Sequence, residues 1–542
     1  MPFGMVKLSP DNQGDDPAVR HWKAGYEYTI DNIMGFSHVH SWTMGGLLTM
    51  PATGPLRTQP GPEDDPDAGY RSRFRHGTET ASPGYYAVTL DDYGIRAELT
   101  CTTRAGFQRY TFPESREARI LFDLWIPTEY GTQVTKAVVE KVSDTEIAGS
   151  VEMSAGLHYQ AVHYQDYTLH FVARTSRPFD SMDHWHGDKV SRDVMELAGR
   201  GDTGVCLNFK TAQGERILLQ TGISLVSIDQ ARLNLDTEMK RFGWDFDACH
   251  QAARTTWNDL LGRVLVEGGR EVDHRKFYTN LYRAYCARTI WSDVNGKYTD
   301  MYERVQQLAD PASPVYGSDA LWNTFWNLNP LWNLVTPDIS EKWVRSLLEI
   351  YDNGGWLPKG PAGIEYSSIM EASHAIPINH GNQPSMQVAY LFNHADAPWL
   401  TQKWVRAIMD RYYGDTPHDG WSGDEDQGQG GAWFAMSALG LFQTDGGCRV
   451  EPSYEIGSPL FDRAVIRLDP ACHPGGRFVI EAPNNGPRNV FIQSATLNGK
   501  PLDKPWFYAS EALAGGHLVL HMGPEPNRAW GIDTGDAPAR FR

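Results

Sequence analysis

The sequence predicts an N-terminal antiparallel β-sandwich, then a helical domain, then a short C-terminal β segment. Three observations predict it. Hydrophobic alternation has a period of two from Met1 to about Val226, 3.6 after about Asp229, and strand-like runs again from about Pro452.

Within the first stretch, Tyr85–Leu90 and Ile95–Cys101 are β-branched or aromatic runs joined by Asp91-Asp92-Tyr93-Gly94, a hairpin signature. Ala118–Trp125, Gly149–Ser154 and Ile217–Ile223 continue at hairpin spacing, as strands of a sandwich do. Helical periodicity then predicts helices near Asp247–Gly262, His274–Trp291, Asp319–Val335, Ser340–Asn353, Pro384–Asn393, Pro398–Tyr412 and Gln427–Leu441. Pro337-Asp338 before one of them and Gly354-Gly355 after it are helix start and stop signals. In the tail, Phe478–Ala482 and His517–His521 read as strands. No internal repeat stands out.

Composition excludes several classes. The 49 basic and 67 acidic residues leave a net charge of −18, which disfavours nucleic acid as a partner because phosphate binding needs a basic face. Such a surface suits a neutral substrate or a site that holds a cation. Six widely spaced cysteines exclude a disulfide-dense scaffold and a CxxC module. No apolar run approaches the roughly 20 residues of a membrane span. Met1–Leu8 has no basic head, apolar core or cleavage site; it reads as the middle of a strand, so the compartment stays open. Without a G-x-S-x-G, Walker or Rossmann motif, acyl, phosphoryl and hydride transfer are disfavoured.

The densest polar cluster is Trp421-Ser422-Gly423-Asp424-Glu425-Asp426-Gln427-Gly428-Gln429. Acidic residues before a helix cap its first turn. Three carboxylates and a Trp in nine residues exceed that need, and Asp424 and Asp426 are spaced to address one water or one hard cation. His380-Gly381-Asn382-Gln383-Pro384-Ser385-Met386-Gln387 is another helix start, whose amide oxygens suit hydroxyls or calcium. In Gly35–Gly46, His38, His40 and Trp42 share one face of a strand, as a sugar-stacking wall or a plain structural face. A zinc site there lacks a third ligand. Trp322 and Asn323, with Trp332, Trp343 and Trp356, read most simply as a core stripe. Glu371 and His374, three apart, face one site or, more simply, solvent.

Taken in order, Pro2-Phe3-Gly4-Met5, Gly35–His40, Gly355–Pro361, Gly381–Gln387 and Gly423–Gln429 resemble glycoside hydrolase family 92, the calcium-dependent exo-α-mannosidases. That resemblance implies a β-sandwich on an (α/α) barrel of the six-hairpin type. It divides the chain into a sandwich at 1–245, a linker helix region at 246–272, a barrel at 273–450 and a β-rich segment at 451–542. It implies inverting release of terminal α-linked mannose, α-1,2 as the expectation, from a mannose-containing glycan. Inversion needs two carboxyl groups roughly 6.5–9.5 Å apart, leaving room for a water. By resemblance Asp424 and Asp426 occupy the base positions. Asn382, Gln383, Gln387 and Asp424 would hold Ca2+. His38, His40, Trp42, Trp322, Asn323, Glu371, His374 and Trp421 would contact sugar. Family members are secreted or periplasmic, so a leader is expected to be missing.

Two departures shape the expectation. The family's Gly-Asn-Glu-Pro-Ser-His-Gln reads here with Gln383 and Met386, so a negative charge is lost beside the metal. Twelve barrel helices need on the order of 300 residues; only about 170 lie between Asp273 and Gln443. The chain runs from Ala375-Ile376-Pro377-Ile378 straight into His380, where the family carries further helices and a Glu-Gly-Asn-like motif holding its proton donor. Glu371 or Glu425 would have to substitute. Impaired activity follows, with two alternatives: an α-mannosyl phosphodiester hydrolase that needs no acid, or a non-catalytic mannose-binding protein. A shortened barrel would also expose apolar faces that an oligomer could cover.

Overall fold

The computed structural model describes residues 1–13, 15–16, 21–22, 25–41, 44–126, 133–154, 166–286, 288–300, 302–317, 324, 327–354, 380–381, 383–423, 425 and 428–532. Two compact units emerge, one of residues 1–257, 288–319 and 345–366, the other of 258–287, 320–344 and 367–542.

The first unit contains the expected sandwich, together with residues 288–319 and 345–366 that the sequence assigns to the barrel. A seven-stranded sheet runs, in spatial order, Ser9–Asp11, Gly35–Ser41, Met44–Thr53, Ser115–Asp123, Thr203–Thr211, Ser181–His186 and Lys189–Ser191. A nine-stranded sheet has Tyr167–Thr175, Glu215–Ser224 and Ala105–Phe112 at its centre. All pairings within both sheets are antiparallel. One apolar cluster joins inward residues of both, with Phe122 stacked on Phe171 at 6.2 Å. Alternation dictates this core, since in a strand every second side chain faces the same side. The hairpin lies where its sequence puts it: strands Tyr85–Leu90 and Ile95–Cys101, with Leu90 opposite Ile95. Met1–Leu8, expected as strand, is irregular; pairing begins only at Ser9, opposite Ser37.

Helix α1, Ile228–Met239, packs Ala231 and Leu235 on the outer face of the nine-stranded sheet, together with Phe246 of helix α2, Phe246–Leu261. Asp293 ties α1 in place by accepting from Asn234 at 2.6 Å and from Ser224 at 2.9 Å.

The second unit holds helix α3, Glu271–Arg283; α4, Leu328–Val335; the start of α5, Pro337–Gly354; α6, Pro398–Arg411; and α7, Gln429–Leu439. Its C-terminal part forms a six-stranded sheet built from Val264–Glu267 and strands between Arg463 and Gly523. Every residue of α7 is buried, as an all-round apolar helix must be. Gly431 permits the close α3–α7 crossing, because a Cβ there would lie 2.4 Å from the Asn280 carbonyl oxygen.

Three predicted helices differ; the one expected over Asp319–Val335 begins at Leu328, with Thr324 and Asn327 in turns and the rest of 319–326 outside the described residues. The one expected over His274–Trp291 ends at Arg283; beyond it the β-branched pair Thr289-Ile290 leaves the helical path, with Ile290 bridging to Tyr316. Pro384–Asn393 forms two 3-10 segments, Gln383–Ser385 and Val388–His394, instead of one α-helix.

On α5, Val344, Leu348 and Tyr351 recur at helical spacing and are each at least half exposed.

Candidate functional site

The sequence-predicted residues fall into two groups, one in each unit. In the sandwich unit, strand Gly35–Ser41 carries His38 and His40. His38 is fully buried; its Nδ1 lies 2.8 Å from the Leu47 carbonyl oxygen, which requires Nδ1–H as donor. Burial lowers its pKa to about 4. Its Nε2 packs on Gly106, where a Cβ would come within 2.8 Å.

His40 is partly open, at 16 % side-chain exposure, and its Nε2 faces three oxygens: Ser37 Oγ at 2.6 Å, Ser9 Oγ at 3.3 Å and Asp11 Oδ1 at 3.4 Å. Asp11 is wholly buried and accepts backbone N–H bonds from Gly25 and Ser37 at 2.7 and 3.0 Å. Burial pushes the Asp11 carboxyl up and the His40 ring down, and each opposes the other's shift. Trp42 lies outside the described residues.

In the helical unit, the two polar loops named from the sequence meet. Gly381 and Gly423 are in backbone contact; a Cβ on Gly381 would lie 2.6 Å from Gly423 Cα and 2.8 Å from the Ser422 carbonyl oxygen. Backbone atoms cannot swing aside as a side chain can. Gly381→Ala is therefore expected to cost about 1–3 kcal/mol of stability, read as a lowered melting temperature with an accompanying loss of activity. An unchanged melting temperature would show that the contact is not tight.

Around that contact, His380 is buried, its Nε2 3.0 Å from the Tyr413 hydroxyl, which itself donates to the Gly430 carbonyl at 3.0 Å. The hydroxyl proton is thus committed, so His380 donates from Nε2. Burial alone lowers its pKa to about 3. His380 also stands edge-on to Trp433, with centroids 4.3 Å apart. Trp433 donates its indole N–H to the Met386 carbonyl at 2.8 Å, and Asn327 Nδ2 lies 3.1 Å from the Met386 sulfur. Met386 thereby fills, with an apolar side chain, the place where a His was expected.

Glu425 accepts from the Gly428 N–H at 2.6 Å and the Gly431 N–H at 3.0 Å, one on each oxygen. Its carboxylate thus caps the first turn of α7, whose N-cap position is Gly428. Its carboxyl is pushed up by burial, against Arg283 and the two N–H groups. The Arg283 guanidinium stacks 3.3 Å from the ring centre of Trp421, which is 46 % exposed. Gln383 is buried at 2 % exposure, and Gln387 Oε1 is a buried amide oxygen with no hydrogen-bond partner among the described residues.

Trp322, Asn323, Glu371, His374, Asn382, Asp424 and Asp426 lie outside the described residues. Sequence reasoning missed Asp11, Arg283 and Tyr413. None sits in a motif with a spacing of its own; each is brought in by a partner distant in the chain.

The N-terminal domain model of glycosyl hydrolase family 92 matches residues 1–224, and that family's catalytic domain model matches 230–378 and 375–524. An uncharacterized secreted glycosidase of Arthroderma benhamiae is 21 % identical, over 99 % of this chain and 91 % of that one. That alignment runs over 731 residues, 189 more than the 542 of this chain. A family GH92 α-mannosidase structure from Bacteroides thetaiotaomicron has a TM-score of 0.88 at 23 % identity, covering 99 % of this chain and 93 % of its own. A GH92 inverting mannosidase from the same organism has a TM-score of 0.79 at 20 % identity, covering 99 % and 95 %. These structures share the fold of the chain, and no helix among its described residues is long and apolar enough to cross a membrane. With the catalytic domain model alone matching more than half of its residues, the chain belongs to glycosyl hydrolase family 92.

Proposed function

We propose that the protein is an α-mannosidase that removes terminal α-linked mannose, α-1,2 in preference, from a glycan with inversion and with calcium bound. The observation that carries the reading is family membership joined to the Gly381–Gly423 contact, which brings together the two loops holding the resemblance's site residues. Solved family members named as α-mannosidases, one of them inverting, support it.

In this reading Asp424 and Asp426 supply the base that activates water. His40, oriented by Asp11, and Trp421, backed by Arg283, contact sugar. Trp42, Trp322, Asn323, Glu371 and His374 are the further residues that the resemblance assigns to sugar; His38, assigned with them, is fully buried and held by the Leu47 carbonyl, so it supports strand Gly35–Ser41 instead of touching sugar.

Calcium takes carboxylate, amide and water oxygens, and the buried Gln387 Oε1, without a hydrogen-bond partner among the described residues, fits that donor chemistry. No group of three or more His, Cys, Asp or Glu suited to a metal occurs among the described residues. The proposed ligand set is the amide-rich one implied by the resemblance: Asn382, Gln383 and Gln387 with Asp424. When bound, the ion would supply a fixed positive charge against the sugar hydroxyls. Gln383 in place of Glu leaves one fewer negative charge, so a weakened affinity is expected.

A second reading follows from Glu425. With each oxygen accepting a backbone N–H, it acts as a helix cap and is badly placed to donate a proton. The two catalytic-domain matches meet at 375–378, and the alignment excess of 189 residues supports a segment missing from this chain. If the family's acid is missing with it, substrates that leave without protonation, such as an α-mannosyl phosphodiester, are favoured.

Mannose release from an activated aryl α-mannoside and from α-1,2-mannobiose, with calcium and then with EDTA, tests both readings. The expected result is calcium-dependent release from the aryl mannoside and release from the disaccharide slower by about 10²–10⁴-fold, the usual worth of general acid catalysis. Equal rates would show that an acid is present. Release untouched by EDTA would remove calcium. No release by folded protein would leave a mannose-binding protein in place of an enzyme. Residence outside the cytoplasm belongs to the same proposal, supported by the secreted relative.

A further inference from the structure

A cleft of about 470 Å³ opens in the helical unit at the N-terminal end of α3, bounded by α6 and by loops of the six-stranded sheet. The loops of the proposed active site lie at the other end of α3, next to Arg283, about 18 Å away along a 13-residue helix. The volume falls within the roughly 300–1,000 Å³ of small-ligand pockets.

Its polar lining is Arg270, Asp273, Arg406, Asp410, Asp462 and Asn485. Arg270 is already neutralised: both its bonds to Asp273 are 2.9 Å, and Asp410 adds a third at 3.3 Å. Arg406 is different. Its Nε donates to Ser458 Oγ at 3.0 Å and one Nη to Asn485 Oδ1, both neutral acceptors. It makes no ion pair within 4 Å among the described residues, although it faces the cleft, where Asp273, Asp410 and Asp462 attract it from further away. A guanidinium carries five N–H donors, so about three remain for a ligand. Burial lowers its pKa to about 10, which keeps it charged at neutral pH. Opposite it, Asp410 and Asp462 are exposed, and no ion pair or hydrogen bond holds the Asp462 carboxylate among the described residues.

The cleft thus offers charged donors and charged acceptors side by side, above an apolar wall of Leu460 and Val490. Three carboxylates to two guanidiniums disfavour an anion. Two guanidiniums disfavour a metal ion. A ligand that both donates and accepts at neighbouring atoms, and has a C–H face besides, meets every one of these groups. Vicinal hydroxyls on a pyranose ring have that chemistry, and planar bidentate groups such as carboxylate and guanidinium engage them in pairs.

We propose that this cleft is a second saccharide-binding site, separate from the hydrolytic loops, which holds a further part of the glycan. The site is argued from its own lining; only the choice of a mannan as probe rests on the proposed function.

Affinity electrophoresis of the full chain through gels containing soluble α-mannan tests it, with aryl-mannoside hydrolysis measured in parallel. Asp462→Ala, at an exposed position, and Arg406→Lys, which keeps the charge but loses the planar fork, are each expected to reduce retardation at least fivefold and to leave kcat on the small substrate unchanged. Retardation equal to the parent in Asp462→Ala would overturn the proposal, as would a parent chain that migrates unretarded. Loss of aryl-mannoside turnover in step with retardation in Asp462→Ala would also overturn it, by placing the effect at the hydrolytic site. A parent that is retarded but hydrolyses nothing would sink the enzymatic reading while sustaining this site.

Discussion

Asp426→Asn is expected to lower kcat on an activated aryl α-mannoside by about 10²–10⁴-fold, with no change in melting temperature. The aryl substrate is the right reporter because its leaving group departs without an acid, so the base is isolated as the group under test. Asn is nearly isosteric with Asp yet cannot take a proton from water, and no folding role is assigned to either carboxylate. Asp424→Asn is expected to give a similar loss but through two routes, since Asp424 is assigned both to the base positions and to calcium. The two routes separate in a calcium titration: Asp424→Asn should shift the half-activating concentration upward, and Asp426→Asn should leave it in place. Parental rates in both variants would remove the assignment of the base to this loop, whatever the fold.

The second large effect concerns acid. His380 is buried and neutral, with a folded pKa of about 3 against 6.5 unfolded. A histidine with a depressed pKa contributes stability that is fully present above 6.5. That stability is lost as pH falls toward 3, because the unfolded chain takes up the proton first. At about 1.4 kcal/mol per pH unit, the loss reaches about 3 kcal/mol by pH 4.5. Asp123 and Asp293 in the sandwich unit run the other way. Burial holds them up at about 7 and about 6. Their stabilisation is full below the ordinary carboxylate range and disappears as pH rises through the folded values.

The readout must therefore be local to His380. Hydrogen exchange of the α7 peptide Gln429–Leu439, corrected for the intrinsic pH dependence, should lose protection between pH 6.5 and 4.5 in the parent. His380→Phe should be weaker at neutral pH, having lost the bond to Tyr413, but flat over that window. A parallel pH dependence in both proteins would show that His380 does not titrate with local opening.

Much of the architecture is legible in the residues alone because it rests on short-range physics. Alternation over Tyr85–Leu90 and Ile95–Cys101, with an Asp-Asp-Tyr-Gly turn between, specifies a hairpin without reference to anything else in the chain. The change of period near Asp229 marks the end of the sandwich strands, although helix α1 at Ile228–Met239 is not among the helices it predicts. Ordered motifs from Pro2-Phe3-Gly4-Met5 to Gly423–Gln429 likewise identify the family before any coordinate is known, since each is a local string.

Where local and distant forces compete, the sequence is a poor guide. The helix expected to reach Trp291 stops at Arg283, and in the β-branched pair beyond it Ile290 finds a partner at Tyr316. Propensity sees neither the partner nor its distance.

The candidate site divides in the same way. Residue types at His38, His40, Gly381–Gln387 and Gly423–Gln429 are written in the chain. What each can do was decided by contacts between residues far apart. Asp11 reaches His40 because Ser9–Asp11 pairs with Gly35–Ser37. The two polar loops touch because neither Gly381 nor Gly423 has a Cβ. Glu425 becomes a cap because α7 starts beneath it and presents two free N–H groups. Side-chain chemistry is a property of the residue, and the sequence determined it. Protonation, orientation and access depend on burial and on partners, and these only the tertiary structure decided.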